Sequence, residues 1–156
     1  MRAQSVVERR IALVQWSFLQ WAVFVLGAVH IAWAIAGWIA EPSFELGEHA
    51  PATPVLGMDY NGWHAVAGLL LFGPALIAAT RKSWSAWYCV IAGSGGGIAV
   101  GVWALFSHRV LVFSFPSHVT DAIEHLVTGA TLLALVAVQA IRDGGLRPVF
   151  GMSQSQ

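Results

Sequence analysis

The chain has 156 residues, of which 57% are hydrophobic and only 10% are charged, and its basic and acidic residues cancel. Soluble domains carry roughly 25% charged residues, so this composition excludes an ordinary water-soluble domain and predicts a protein embedded in a lipid bilayer. No basic tract indicates nucleic acid as a partner, and the single cysteine, Cys89, excludes an internal disulfide and a C-x-x-C redox site.

Four apolar runs follow one another, and each is long enough to cross a bilayer once. Each must be helical, because lipid offers no hydrogen-bond partners to the backbone of an open strand. We therefore predict an all-α, four-span transmembrane helix bundle that forms a single membrane domain over 1–156. The spans are expected at about 15–40, 62–80, 84–106 and 121–141, with outer connections at 41–61 and 107–120.

The first apolar run extends from Ile11 to Ala40 without a charge. A cleaved signal peptide is the alternative, since "AWA" and "AIA" occur near its end. The run is far longer than the apolar region of a signal peptide, so an uncleaved span is preferred. The connection 41–61 that follows is acidic and rich in proline, which predicts an exposed loop with little regular structure.

Lysine and arginine predict the orientation of the spans, because cytoplasmic segments carry an excess of both. They concentrate in the two tails and in the "RKS" turn after the second span, whereas acidic residues concentrate in the outer connections. Both termini are therefore predicted to be cytoplasmic, in the plasma membrane. The residues behind this prediction are Arg2, Arg9, Arg10, Arg81, Lys82, Arg142 and Arg147.

The second and fourth spans begin alike, as "DYNGWHAVAGLLLF" and "DAIEHLVTGATLLA". Both contain H-x-V-x-G-x-x-L, with His64 and Gly68 in the first copy and His125 and Gly129 in the second. Two copies of one pattern predict a duplicated helix pair arranged as parallel repeats. In both copies the glycine is expected at a helix-packing position.

The third span contains the glycine-rich stretch "AGSGGGIAVG". Gly93, Gly97 and Gly101 share one helix face, and such a stripe of small residues lets another helix approach closely. The sequence leaves open whether that helix belongs to the same bundle or to another subunit. A homo-oligomer and a larger membrane complex are therefore both open.

All six histidines lie in the outer half of the predicted bundle or in its outer connections. Ionisable groups inside a membrane are costly and indicate function. The structural alternative is that Asn61 caps the second span and that Asp121 and Glu124 form a capping-box-like pair on the fourth. We call the predicted group the outer polar cluster: His30, Asp59, Asn61, His64, Asp121, Glu124 and His125.

Several functions of this cluster are open. His64 and His125, at similar depth, could bind haem or a metal ion in a redox protein. His30 with the same pair could titrate between roughly pH 5 and pH 8, as in a pH sensor or a proton-linked transporter. Catalysis by Asp–His pairs lacks a placed nucleophile. The preferred hypothesis is a non-enzymatic membrane protein, an accessory subunit that binds its partner through the glycine stripe.

The stretches "VLGMDYNGWHAVAGLLLFGPAL" and "DAIEHLVTGATLLALVAV" resemble a family of small four-helix membrane proteins of unknown function, found mainly in actinobacteria. The resemblance implies a four-span fold in the plasma membrane and no activity. A looser likeness to DoxX-type four-span proteins would imply a redox or thiol-stress complex. The matching pattern is Asn-x-x-His with a nearby glycine (Asn61, His64, Gly68) and His-Leu-x-x-Gly (His125, Leu126, Gly129), with a departure at Asp121 and Glu124.

Overall fold

The structure is a computed structural model that describes residues 15–47, 50–106, 109–110, 113–114 and 119–152. Arg2, Arg9, Arg10, His49, His108 and His118, which the sequence analysis uses, lie outside these residues. The elements are α1 (Phe18–Ala40), β1 (Thr53–Val55), β2 (Met58–Tyr60), α2 (Gly62–Ala78), α3 (Lys82–Phe106), β3 (Arg109–Val110), β4 (Phe113–Ser114), α4 (Val119–Asp143) and α5 (Leu146–Phe150). The protein is mostly helical, but two short antiparallel hairpins, β1–β2 and β3–β4, depart from the predicted all-α class.

Among the described residues, three helices are long and apolar enough to cross a membrane: α1 with 23 residues, and α3 and α4 with 25 residues each. The apolar helix α2 is shorter, with 17 residues, and ends at Ala78 rather than at the predicted residue 80. The outward faces are strongly apolar, since Leu70, Ile91 and Ile141 are 73%, 69% and 82% exposed. Soluble proteins rarely expose such extended apolar surface, so these faces fit contact with lipid.

The helices pack mainly as two pairs, α1 with α2 and α3 with α4. Between the pairs lies a core of small and medium apolar side chains, including Leu19, Val23, Ala75, Cys89 and Leu132. Small residues such as Ala75 let helices approach closely where no water drives them together.

The glycine stripe of the third span is filled by α4 of the same chain. The stretch Ala92–Ala99 of α3 is π-helical, and there Gly97 meets Gly129 backbone to backbone. A Cβ at Gly97 would overlap the Cα atom of Gly129, and a Cβ at Gly129 would lie 2.7 Å from the carbonyl oxygen of Gly93. A Cβ at Gly101 would lie 3.0 Å from the carbonyl oxygen of Ala122. The helix that approaches the stripe therefore belongs to the same bundle, and a partner subunit stays a prediction.

Gly68, the glycine of the repeated motif in α2, packs against α1 much as Gly129 packs against α3. A Cβ at Gly68 would lie 3.1 Å from the Cβ atom of Ala34 in α1. In each pair, the glycine of the second helix thus faces the first helix, as Gly129 faces α3. The helix-pair duplication stays a prediction, and this shared contact is what the structure adds in its favour.

Buried polar side chains form hydrogen bonds with backbone groups at the ends of the helices. The amide of Leu19, in the first turn of α1, donates to Gln139 Oε1 of α4 at 3.1 Å. Gln20 Nε2 donates to the carbonyl oxygen of Ala79 at 2.9 Å, and Ser85 Oγ donates to that of Ala78 at 3.1 Å. Helix ends leave backbone N–H and C=O groups without partners, and lipid cannot supply any. These side chains therefore remove the energetic cost of unpaired backbone groups.

The connection between α1 and α2 contains the hairpin β1–β2, so the prediction of an irregular loop over 41–61 is wrong there. The two turn residues, Leu56 and Gly57, both have positive φ angles, 52° and 89°. Two-residue hairpin turns need this geometry, but they usually use Asn-Gly or Asp-Gly, so "LG" gave no turn signal.

The hairpin is held against α1 by aromatic side chains. Trp33 Nε1 donates to the carbonyl oxygen of Val55 at 3.0 Å, and the ring of Tyr60 fills the position that a Cβ at Gly37 would take. Met58 and Tyr60 are buried, at 4% and 5% exposure. This tertiary contact, which the loop sequence does not reveal, orders the chain directly before α2.

We expect Gly97→Ala to destabilise the protein, because its methyl group overlaps the backbone of Gly129 and forces α3 away from α4. Overpacking of this kind costs about 1–3 kcal/mol. Gly95→Ala is the matched control, since a Cβ there meets no atom within 4 Å. Thermal unfolding in detergent, followed by circular dichroism, measures both. Equal melting temperatures for the two variants would show that α3 and α4 are not in backbone contact.

Candidate functional site

The members of the outer polar cluster come from α1 (His30), the end of the first hairpin (Asp59, Asn61), α2 (His64) and α4 (Asp121, Glu124, His125). Glu124 links the histidines, because it contacts His30 directly and lies within electrostatic range of His64 and His125. The charge of Asp121 also reaches His64. The fold therefore brings groups from α1, α2 and α4 to one region.

His30 is held from three directions. Its Nδ1 atom donates to the carbonyl oxygen of Leu26, one turn earlier in α1, at 2.8 Å. Its ring stacks on Phe72 of α2, with 4.0 Å between ring centroids. Its Nε2 atom lies 3.2 Å from Glu124 Oε1 of α4, and the two side chains are only 15% and 20% exposed. One α1 side chain thus contacts both α2 and α4.

The hydrogen bonds of His30 determine which of its ring nitrogens carry a hydrogen. A carbonyl oxygen only accepts, so Nδ1 must carry the hydrogen that bonds Leu26, and in a neutral imidazole Nε2 then has a lone pair. An ionised carboxylate oxygen also only accepts. The approach of Nε2 to Glu124 Oε1 therefore requires one further proton, shared by the imidazole and the carboxyl group. Because Oε1 also accepts from Thr128 Oγ1 at 2.7 Å, an imidazolium facing a carboxylate satisfies both contacts.

Asn61 and His64 are set by the turn between β2 and α2. Asn61 is the N-cap of α2, with Oδ1 accepting from the His64 amide at 3.0 Å, which agrees with its predicted role at the start of this helix. The His64 ring donates through Nδ1 to the carbonyl oxygen of Asp59 at 2.8 Å and stacks on Tyr60. Asp59 thus orients His64 through its backbone.

The predicted capping-box-like pair at the start of α4 is wrong. The helix begins at Val119, so Asp121 lies inside the first turn, where it is 2% exposed. The Oε1 atom of Glu124 is used by His30 and Thr128. Tertiary contacts with α1 therefore replace the local capping that the three-residue spacing predicted.

His125 is oriented by the close packing of α3 and α4. Its Nδ1 atom donates to the carbonyl oxygen of Gly96 at 2.9 Å, within the π-helical stretch of α3. This distance is reached because Gly97 and Gly129 bring the two backbones together. Irregular helical turns of this type often occur at functional sites.

His64 and His125 share a feature of metal-binding histidines. Each donates through Nδ1 to a backbone carbonyl, which leaves the Nε2 lone pair of a neutral ring for a ligand. Within the part of the chain that the structure describes, no group of three or more His, Cys, Asp or Glu side chains is arranged to hold a metal ion. The predicted metal pair is thus oriented, but no described third ligand joins it.

Tyr60 is the site residue that the sequence analysis missed. Its ring lies between α1 and His64, with 4.7 Å between the centroids of the Tyr60 and His64 rings. Burial raises the pKa of Tyr60, and the nearby charges of Glu124 and Asp121 raise it further, so its hydroxyl group stays neutral. Its position four residues before His64, in a predicted loop, gave no signal of burial.

Comparison with known proteins adds one match. The model of a domain of unknown function (DUF4383) matches residues 20–138, most of the chain. The chain belongs to the DUF4383 family. No curated protein and no solved structure matches it.

The DUF4383 match extends from α1 into α4 and includes every member of the outer polar cluster. A family of unknown function is what the resemblance implied. The motif pattern, the actinobacterial origin and the likeness to DoxX-type proteins stay predictions. Since the DUF4383 family carries no assigned activity, the function has to follow from the geometry of this cluster.

Proposed function

We propose that this DUF4383 protein is a non-enzymatic, four-span protein of the plasma membrane that responds to protons through the contact between His30 and Glu124. The observation that carries the proposal is the shared proton: with Nδ1 of His30 committed to the Leu26 carbonyl, the 3.2 Å contact between Nε2 and Glu124 Oε1 needs one proton more.

The four-span arrangement is supported by the packing of α2. With 17 residues, α2 reaches about 25 Å, at the lower limit for a spanning helix, and it packs along α1, which is long enough to cross. The described basic side chains Arg81, Lys82 and Arg142 lie at the α2–α3 turn and the end of α4, whereas the outer polar cluster lies at the opposite ends of α2 and α4. This charge distribution favours both termini in the cytoplasm.

We expect single cysteines at Thr80 and Glu45 to be labelled from opposite sides of the membrane. Both side chains are exposed, in the α2–α3 turn and in the α1–α2 connection. Cys89, which is buried, is first replaced by alanine to give a cysteine-free background. A membrane-impermeant maleimide applied to intact cells should label Glu45→Cys, and should label Thr80→Cys only after lysis. Labelling of both in intact cells would contradict four spans with this orientation.

The shared proton makes the contact between α1 and α4 depend on pH. When this proton leaves as the pH rises, the lone pair of His30 Nε2 faces a carboxylate oxygen, and repulsion replaces attraction. The contact therefore stabilises the bundle at lower pH and is lost at higher pH. Partial burial strengthens both the attraction and the repulsion, because the local dielectric constant is below that of water.

The neighbouring titratable groups face the same contact from each packed element. His64 approaches from α2, Tyr60 from the hairpin, and Asp121 and His125 from α4, while α3 contributes the Gly96 carbonyl group to His125. The charge of His125 acts on Glu124, and the charge of Glu124 acts on His64. A proton change at the His30–Glu124 contact can therefore move α1 relative to α4.

The variant Glu124→Gln tests whether the carboxyl group of Glu124 shares a proton with His30. With its amide nitrogen in place of Oε1, glutamine can donate one hydrogen to His30 Nε2 and the other to Thr128 Oγ1, so both contacts remain without a titratable proton. We expect the melting temperature of the natural protein in detergent to fall from about pH 5 to about pH 8, and that of Glu124→Gln to change much less. Glu45→Gln, in an exposed part of the α1–α2 connection, is the control and should follow the natural protein. An equal pH dependence in Glu124→Gln would exclude this proton site.

Haem or metal binding by His64 and His125 is the second candidate. Its support is that both rings are fixed through Nδ1, which leaves Nε2 for a ligand. Protein purified from membranes should then show a Soret band, or a bound metal on elemental analysis, and lose it in His64→Ala and in His125→Ala. A purified protein with neither signal would exclude this candidate and leave the proton site unaffected.

A fixed partner subunit or a homo-oligomer also stays a proposal. Gly93, Gly97 and Gly101 cannot supply the interface, because α4 covers them. Any partner would bind the exposed apolar faces of the bundle instead.

A further inference from the structure

The end of the bundle opposite the outer polar cluster carries a concentrated positive charge. Lys82 Nζ bonds Asp143 Oδ2 at 2.9 Å, which joins the start of α3 to the end of α4. The Arg142 guanidinium lies 5.1 Å from the centre of the Phe18 ring, which joins α4 to the start of α1. We call the surface formed by Arg81, Lys82, Arg142 and Arg147 the basic end.

The charge of the basic end is poorly balanced within the described residues. Asp143 is engaged by Lys82 through Oδ2 and by Gln139 Nε2 through Oδ1 at 2.9 Å. Neither of the two ion pairs found in the described part of the chain includes Arg81, Arg142 or Arg147. All three arginines are exposed. An anion from outside the described chain would therefore meet guanidinium groups with little internal competition.

Aromatic rings hold two of these arginines at the expected depth of a membrane interface. The Arg81 guanidinium lies 4.5 Å from the centre of the Trp84 ring, and Trp84 and Trp87 are 45% and 52% exposed. Exposed tryptophan rings concentrate at the level of lipid headgroups. An arginine that stacks on such a ring keeps its N–H groups available, and these pair with phosphate oxygens in a bidentate way.

We propose that the basic end binds the phosphate groups of anionic phospholipids, with Arg81 and Arg142 as the principal contacts. The charge attracts an anion, the rings place the guanidinium groups at headgroup level, and α5 covers the end of the bundle beside them. Val149 of α5 is fully buried and Phe150 packs on Trp87, with 4.9 Å between ring centroids. This binding requires that the helices cross the membrane, but it does not require the His30–Glu124 proton site.

The test measures lipid binding to the full-length protein in detergent by native mass spectrometry. Phosphatidylglycerol should bind more tightly than phosphatidylcholine. Arg81→Gln and Arg142→Gln should each weaken phosphatidylglycerol binding roughly fivefold, and the double variant roughly twentyfold or more. Arg81→Lys with Arg142→Lys should lose less, because charge is kept while ring stacking and bidentate pairing are lost.

Glu45→Gln, at the opposite end of the bundle, is the matched control and should bind phosphatidylglycerol as the natural protein does. Circular dichroism checks that every variant keeps its helix content, which is expected because Arg81 and Arg142 are exposed. Equal binding of the two lipids, or an unchanged affinity in the double glutamine variant, would overturn the proposal. So would full displacement of the lipid by millimolar inorganic phosphate, which would show a site for free anions rather than for lipid.

Discussion

A bilayer offers no hydrogen-bond partner to a buried polar group, and this constraint accounts for the polar contacts that fix the bundle. The three described histidines each donate through Nδ1 to a backbone carbonyl, of Leu26, Asp59 or Gly96. Glutamine side chains satisfy backbone groups at the ends of helices in the same way. Polar residues thus hold the helices together where apolar contact alone gives little preference for one partner over another.

The same constraint determines which chemistry the histidines can perform. With Nδ1 committed to a carbonyl group, only Nε2 can exchange a proton or bind a ligand. In His30 this atom meets Glu124, and the proposed proton response rests on this contact between α1 and α4. In His64 and His125 it stays available for a ligand. The difference between these residues comes from one carboxylate, placed on α4 and facing α1.

The two ends of the bundle are electrostatically distinct. Carboxylates and histidines gather at the end where α2 and α4 begin, and arginines stacked on aromatic rings gather at the other. In the proposed four-span arrangement, charges of this polarity orient the protein across the membrane, so that each end meets a different environment. The proposed proton response at one end and the proposed binding of lipid phosphate at the other both rest on this arrangement.

The sequence by itself determined the number of apolar segments, the helix start at Asn61 and the glycine positions, because each depends on local composition and spacing. It could not determine that α4 covers Gly97, that Glu124 turns to His30 instead of capping its helix, or that Tyr60 is buried in a hairpin. These features depend on which helix lies beside which, and contacts between residues 94 positions apart along the chain leave no local periodicity. Tertiary packing therefore decided the site, whereas the apolar pattern decided the helices that carry it.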